Sequence, residues 1–301
     1  MSTYSIKDLE QLSGIKAHTL RMWEQRYSII KPKRTPTNIR YYDDSDLRLL
    51  LNISFLNSNG FKISKIAKKT HEEIGALVMK IAESSLEFSN QIRALVIAMV
   101  NLDERRFEKI IATNTLQFGF ENTMINMIYP FLQRIGILWQ TGNINPAHEH
   151  FISNLVRQKI IVAIDGQITS GNPYAKKYLL FLPENELHEL SLLFAAYVIK
   201  SRHNRVIYLG QNLPHEDLKS VNEVYEPDYM FTVLTSSLTK QEVPNYITTL
   251  CNDFPNTKLL LSGYQAIKHK EQLGASVQVF NQMNEFVEFV DGNSVKPFAM
   301  Q

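Results

Sequence analysis

Between positions 16 and 41 the chain concentrates groups that bind phosphate and read base edges. Lys16, His18, Thr19, Arg21 and Arg26 come first, Arg34 lies in a basic stretch with two prolines, and Arg40 and Tyr41 follow it. Cationic side chains neutralise backbone phosphates, and the same donors specify bases when a helix carries them into a groove. Glu186 and His188 offer a different chemistry. A neutral imidazole ligates transition metals, and a carboxylate on its other nitrogen fixes the tautomer. A histidine just after a strand also serves as a surface or helix-capping residue. Cys251 is the only cysteine, which excludes an intrachain disulfide and a cysteine-based zinc site. Any metal must come through histidine, carboxylate or a cofactor.

The charge is segregated. Residues 1–70 carry 13 Lys/Arg against 6 Asp/Glu, a net +7, and the rest carry 19 against 24, a net −5. A basic head on a mildly acidic body fits a nucleic-acid reader joined to something else. At 301 residues and 44% hydrophobic content, more than one core is expected. The longest apolar runs, such as Tyr178 to Leu182 and Leu192 to Ile199, fall far short of the roughly 20 residues that cross a bilayer, and no apolar signal-type segment opens the chain. A cytoplasmic protein without membrane partners is expected. No G-x-G-x-x-G follows a strand, which argues against nicotinamide chemistry.

The elements that must position these groups follow from periodicity. Ser5 is an N-cap, Ile6, Leu9 and Leu12 recur at helical spacing, and Ser13-Gly14 ends that helix before a second runs from about Lys16 to Arg26. In the second helix Ile15, Leu20 and Trp23 or Tyr27 face inward while the donors face out. Lys31 to Asn38 cannot be helical because of Pro32 and Pro36, so a basic loop or wing is predicted. Ile39 to Tyr42 is β-prone, Asp43-Asp44-Ser45 starts a third helix through Leu47, Leu50, Leu51 and Phe55, and Lys62 to Lys69 begins a fourth after Gly60. Helices are then predicted near 72–85, 88–102, 103–118, 120–139 and 146–168, as in a helical bundle. Beyond Ser170-Gly171-Asn172-Pro173 the character changes. Strands at Tyr178–Leu182, Arg205–Leu209, Tyr229–Leu234, Leu259–Leu261 and Ser276–Phe280 alternate with helical stretches at 188–201, 215–224, 240–252, 264–271 and 282–290. That is the pattern of a parallel sheet, whose ligands bind beyond the strand C-terminal ends.

Thr19-Leu20-Arg21-Met22-Trp23-Glu24-Gln25-Arg26-Tyr27, Pro32-Lys33-Arg34 and Ile39-Arg40-Tyr41-Tyr42 resemble the recognition helix, wing and wing close of the MerR-family DNA-binding domain over residues 4–70. The resemblance implies a winged helix-turn-helix on double-stranded operator or promoter DNA. Its contacts would be Arg21, Arg26 and Arg40, with Lys16, His18, Thr19, Arg34 and Tyr41 beside them. It also implies self-association as a dimer or higher oligomer, and RNA polymerase as a further partner.

Glu186-Leu187-His188-Glu189-Leu190-Ser191 resembles the D/E-x-H-x-x-G motif of cobalamin-binding domains. Tyr208-Leu209-Gly210-Gln211-Asn212-Leu213-Pro214 is similar to their second strand and loop, Ser236-Ser237-Leu238 to their S-x-L element, and Ser262-Gly263 to their glycine pair. Trp139, followed after nine residues by Glu149-His150, matches the W-x9-E-H motif of light-responsive, cobalamin-binding MerR-type regulators. The resemblance implies that His188 ligates cobalt from below in place of the cofactor's own base and that Glu186 bonds its other nitrogen. Trp139 would cover the upper face, Glu149 and His150 would approach an adenosyl group, and Gly210, Ser236, Leu238 and Gly263 would line the cofactor. Three positions depart from the pattern. Ser191 and Ser262 replace glycines beside the nucleotide tail, and Gln140 stands where light-responsive members often have a histidine to seize cobalt after photolysis.

The expected architecture is multidomain, α and α/β. It comprises a winged helix-turn-helix over 1–70, a helical bundle over 71–170 and a Rossmann-like parallel-sheet domain over 174–301. The expected function is a non-enzymatic, sequence-specific transcription regulator that senses a cobalamin, adenosylcobalamin in particular, held between bundle and Rossmann-like domain. The alternative is a cobalamin-independent regulator that uses the same fold for oligomerisation or a protein partner.

Overall fold

The structure, a computed structural model, describes residues 3–84, 87–140, 145–168, 173–235, 242–274 and 276–294, with backbone alone at 79, 82–84, 138–140 and 272. The chain divides into two compact units, residues 1–155 and 156–301. No helix among the described residues is long and apolar enough to cross a membrane.

The first unit opens with a two-residue strand β1 (Thr3–Tyr4) that the sequence did not announce, and then α1 (Ile6–Ser13). Ser5 and Asp8 form a reciprocal capping box at the start of α1, and Gly14 stops it with φ 75° and an N–H bond to the Glu10 carbonyl of 2.8 Å. Helix α2 (Ala17–Tyr27) has no side-chain cap of its own at Lys16. Glu10 of α1 serves instead, accepting from the Ala17 N–H at 3.1 Å and pairing with Lys16 Nζ at 3.0 Å, so the turn between the two helices is fixed by one carboxylate. Strands β2 (Lys33–Arg34) and β3 (Arg40–Asp43) form the predicted wing, and β3 lies antiparallel between β1 and β2 with Tyr4 opposite Tyr42 and Arg34 opposite Arg40. Asp43 ends β3 and caps α3 (Asp44–Ser58). Leu9, Leu12, Leu20, Trp23, Tyr42, Leu47 and Leu50 are buried together, each apolar side chain contributing about 1.5–3 kcal/mol.

The predicted fourth helix is a single turn, α4 (Ile63–Ile66). The stretch 62–69 carries four lysines, at 62, 65, 68 and 69, and buries only Ile66, too little to hold a longer helix. Helices α5 (His71–Ser84), α6 (Phe88–Val100) and α7 (Glu104–Phe118) follow at the expected places. The predicted helix over 120–139 is α8 (Phe120–Thr123), a π-helical turn over Met124–Ile128, and α9 (Tyr129–Gln140). The wide turn stands just before Pro130, which has no N–H to give the preceding turn. Helix α10 (Pro146–Asp165) supplies residues to both units.

The second unit is a five-stranded parallel sheet. In chain order its strands are β4 (Lys177–Pro183), β5 (Arg205–Leu213), β6 (Tyr229–Val233), β7 (Lys258–Ser262) and β8 (Val277–Val279). The spatial order is β5-β4-β6-β7-β8. The intervening helices are α11 (Leu190–Ser201), α12 (His215–Tyr225), α13 (Glu242–Asp253) and the short α14 (Tyr264–Lys268), and α15 (Met283–Asn293) follows β8. Alternate residues along β4 feed two cores. Leu179 and Phe181 pack with Leu218, Val243 and Ile247 on one face, while α11 and α15 cover the other, where the Phe286 ring meets Phe231 in a tilted contact and Phe280 edge to face, with centroids 4.6 and 5.3 Å apart. The chain leaves β4 in opposite directions to β5 and β6, so the loop after β4 lies at the point where the winding reverses.

Candidate functional site

In the head, Lys16, His18, Arg21, Arg26, Arg34 and Arg40 are exposed, and Thr19 and Tyr41 are half-exposed. Trp23 is buried and packs in the core. Glu24 is taken by the hydroxyl of buried Tyr42, which leaves Arg21 outside that pair. Burial, and then this bond, hold the Tyr42 phenol well above its ordinary pKa, while the charges of Arg40 and Arg21 act on it in the opposite sense. A residue of the recognition helix and one of the wing thus lie near the same phenol. Arg26 stacks over the Tyr27 ring at 5.6 Å. Arg34 has a local duty that the sequence did not reveal, donating to Asn38 Oδ1 at 2.5 Å and holding the left-handed Asn38 (φ 64°) at the tip of the wing.

In the first turn of α10, Glu149 Oε2 and His150 Nδ1 lie 3.4 Å apart, with His150 exposed. Next to them His148 is half-buried, and burial holds its imidazolium below the ordinary range, offset in part by Asp44. Trp139 lies on α9, its side chain outside the described positions.

At the C-terminal end of the sheet the 184–189 loop brings Glu186 and His188 together. His188 stands before α11 rather than at the start of the predicted helix over 188–201, because Glu186 occupies the backbone donors there. The Glu186 side chain is fully buried. Its Oε1 accepts from the N–H groups of Leu187 and His188 at 3.1 and 3.2 Å and lies 2.5 Å from His188 Nδ1. Its Oε2 accepts from the Thr235 N–H at 2.8 Å, beyond the end of β6. A buried carboxylate therefore joins the two strand ends at the reversal point and commits Nδ1 of a ring whose side chain is 59% exposed. Such a ring presents Nε2 as its metal-binding atom, and the carboxylate raises its basicity.

Strand β5 runs four residues past its predicted end at Leu209 and pins this loop. Gly210 (φ 79°) sits at the irregularity where the pairing shifts from Leu180–Tyr208 to Phe181–Gly210. Past it, Asn212 Oδ1 accepts from the Asn185 N–H at 2.9 Å and Gln211 Nε2 donates to the Leu187 carbonyl at 2.7 Å. These two residues were within the loop singled out by motif, but only the left-handed tendency of asparagine at 185 and 212 hinted at their use. Gly263 is required by backbone contact, since a Cβ there would lie 2.5 Å from the Leu234 carbonyl oxygen at φ 96°. Ser262 is buried and its hydroxyl donates to the Phe280 carbonyl at 3.4 Å, so this departure from a glycine pair is absorbed inside the sheet. Ser236 and Leu238 lie outside the described residues. The donor set at Glu186 and His188 fits a corrinoid cobalt, which a neutral imidazole nitrogen with its tautomer fixed by a carboxylate would ligate.

Residues 4–73 match the family of MerR HTH regulatory proteins, and residues 91–163 match the B12 binding domain. The chain is 26% identical to the HTH-type transcriptional repressor CarH of Myxococcus xanthus, over 84% of this chain and 86% of CarH. It is 22% identical to the repressor CarA of the same organism, over 83% and 82% of the two chains. In fold it is similar to the monomethylamine corrinoid protein of Methanosarcina barkeri, at 13% identity and a TM-score of 0.51, over 64% of this chain and 92% of that one. The chain thus joins a MerR-type DNA-binding head to a B12-binding domain and is similar over most of its length to two transcriptional repressors.

Proposed function

We propose that the protein binds operator DNA as a dimer or larger oligomer and changes its hold on that DNA when it binds adenosylcobalamin, which His188 would hold through cobalt. The observation that carries this reading is the Glu186–His188 pair, a buried carboxylate that spends itself on three backbone N–H groups and one imidazole nitrogen at the sheet's reversal point. When bound, the cofactor supplies a cobalt–carbon bond and a large apolar face. Glu186 holds the proton on His188 Nδ1, so that Nε2 offers its lone pair. Gln211 and Asn212 hold the loop that carries the imidazole. Trp139, Glu149 and His150 are candidate cofactor contacts in α9 and α10, to be tested by single substitution.

On the output side, Arg21 and Arg26 on α2, with Lys16, His18 and Thr19, meet the major groove, and Arg40 and Tyr41 of the wing meet backbone phosphates. Linking heads through their bodies raises their effective concentration on paired half-sites, and RNA polymerase is the neighbour such a complex would meet at a promoter. Two relatives are named as repressors, and the chain is read as a regulator rather than an enzyme. The test is a DNA-shift titration at stated salt, with and without adenosylcobalamin, in dark and in light. A change in apparent affinity or in the number of shifted species on adding the cofactor supports the reading. Identical titrations in all arms would leave a regulator that uses this fold without the cofactor.

A further inference from the structure

The 184–189 loop has three side-chain ties to β5. Two of them, Asn212 to the Asn185 N–H and Gln211 to the Leu187 carbonyl, stay within the sheet layer. The third is different. Tyr208 donates its hydroxyl to Glu189 Oε2 at 3.1 Å, while the Arg157 guanidinium of α10 pairs with Glu189 Oε1. Glu189 adjoins His188 in sequence, its N–H bonds the Leu187 carbonyl at 2.9 Å, and its own carbonyl accepts from the Leu193 N–H at 2.9 Å at the start of α11. Its side chain is only 12% exposed. Burial and the neighbouring carboxylate hold the Tyr208 phenol far above its ordinary pKa, which keeps the hydroxyl a donor.

Between α10, α11 and the outer edge of β5 runs an open groove of about 460 Å³, lined by Ile161, Ile164, Leu193, Ala196 and Val206, with Arg157 and Tyr208 in its wall. The ion pair and the Tyr208 hydroxyl bond meet at the wall of this groove, so one carboxylate ties both α10 and β5 to the loop. Arg157 follows His150 by seven residues on the same helix, which is two turns and the same face.

We infer that Glu189 is a positioning residue. Shared between Tyr208 of β5 and Arg157 of α10, it sets the place of the loop that presents His188 and couples any movement of that loop to α10. The coupling belongs to the protein itself, while its use in presenting His188 to a cofactor rests on the cobalamin reading above.

The experiment uses the full chain as wild type, Arg157→Gln, Arg157→Lys and Glu189→Gln. Without cofactor, amide hydrogen exchange is followed in peptides covering 184–189, 157–165 and, as a control, α13. A half-exposed ion pair is worth up to about 1 kcal/mol, so Arg157→Gln and Glu189→Gln are expected to speed exchange about three- to fivefold in both 184–189 and 157–165. Arg157→Lys should restore most of the protection, and α13 should not respond. A response in 157–165 alone, no response in either segment, or no recovery with lysine overturns the coupling. With adenosylcobalamin in the dark, free imidazole is titrated against the bound form and the displacement of His188 is read by absorbance. Arg157→Gln should lower the imidazole concentration at half-displacement by a similar factor. A wild type that retains no cobalamin sinks the cofactor reading, and with it the presentation of His188. A loaded wild type with the same half-displacement in Arg157→Gln sinks the positioning role alone.

Discussion

Glu186→Ala and His188→Ala remove the two partners of one hydrogen bond, yet they should have very unequal effects on stability. Alanine at 186 leaves three backbone N–H groups, those of Leu187, His188 and Thr235, without their acceptor at a fully buried position. Each unsatisfied buried donor costs about 1–3 kcal/mol, and water reaching the loop recovers part of that, so a loss of about 3–5 kcal/mol is expected. Alanine at 188 removes one bond from a 59% exposed ring and leaves the carboxylate its three amide donors, a loss of about 1 kcal/mol or less. For a unit of this size each kcal/mol moves Tm by roughly 2–4 °C. Calorimetry of the cofactor-free protein should therefore place the second unit's transition about 6–20 °C lower in Glu186→Ala and at most about 4 °C lower in His188→Ala. Glu186→Gln should fall between, because one amide arm must face a backbone donor. Equal shifts for the alanine variants, or a Glu186→Ala transition within about 2 °C of wild type, would refute the placement of that carboxylate as the clasp of the loop.

Gly263→Ala forces a Cβ to 2.5 Å from the Leu234 carbonyl oxygen at positive φ, and chemical denaturation should show a loss of at least about 2 kcal/mol. In DNA titrations over a salt series, Arg40→Ala should reduce the slope of log K against log salt by about 0.9, as for a lost phosphate contact. Arg21→Ala should relax sequence discrimination by about 1–3 kcal/mol at one base pair. Equal behaviour on all sequences for Arg21→Ala would place it on phosphate instead. Burial depresses the His148 pKa, so the unfolded chain binds more protons than the folded one as pH falls from about 7 to 5. Stability of the first unit should be full above that window and fall through it, and His148→Gln should flatten the slope of Tm against pH.

Much of the head was legible because its signals are local. Ser5, Leu9, Leu12 and Gly14 mark α1 from end to end, and the wing follows from Pro32 and Pro36. Strand β1 was not legible, because two residues become a strand only by pairing with Tyr42 and Asp43 far along the chain. Pro130 was in plain view, but the π-helical turn that accommodates it depends on how the flanking turns pack. At the site, motif spacing picked out Glu186 and His188 yet suggested a helix from 188. A charged residue gives no sign in sequence that it will be the most buried group of its loop. Tyr208, Gln211 and Asn212 fall in a stretch that the motif resemblance marks, but it does not say which atoms they meet across elements, and nothing in its local sequence marks Arg157.

A cobalamin held by His188 shows itself in the absorbance spectrum of reconstituted protein. Wild type and His188→Ala are incubated with adenosylcobalamin in the dark, freed of excess by gel filtration, and compared. Wild type should elute coloured, with the spectrum of a nitrogen-ligated cobalamin, and His188→Ala should either lose the cofactor or show a form without the protein ligand. A colourless wild type, or two identical spectra, would show that His188 does not ligate the cofactor.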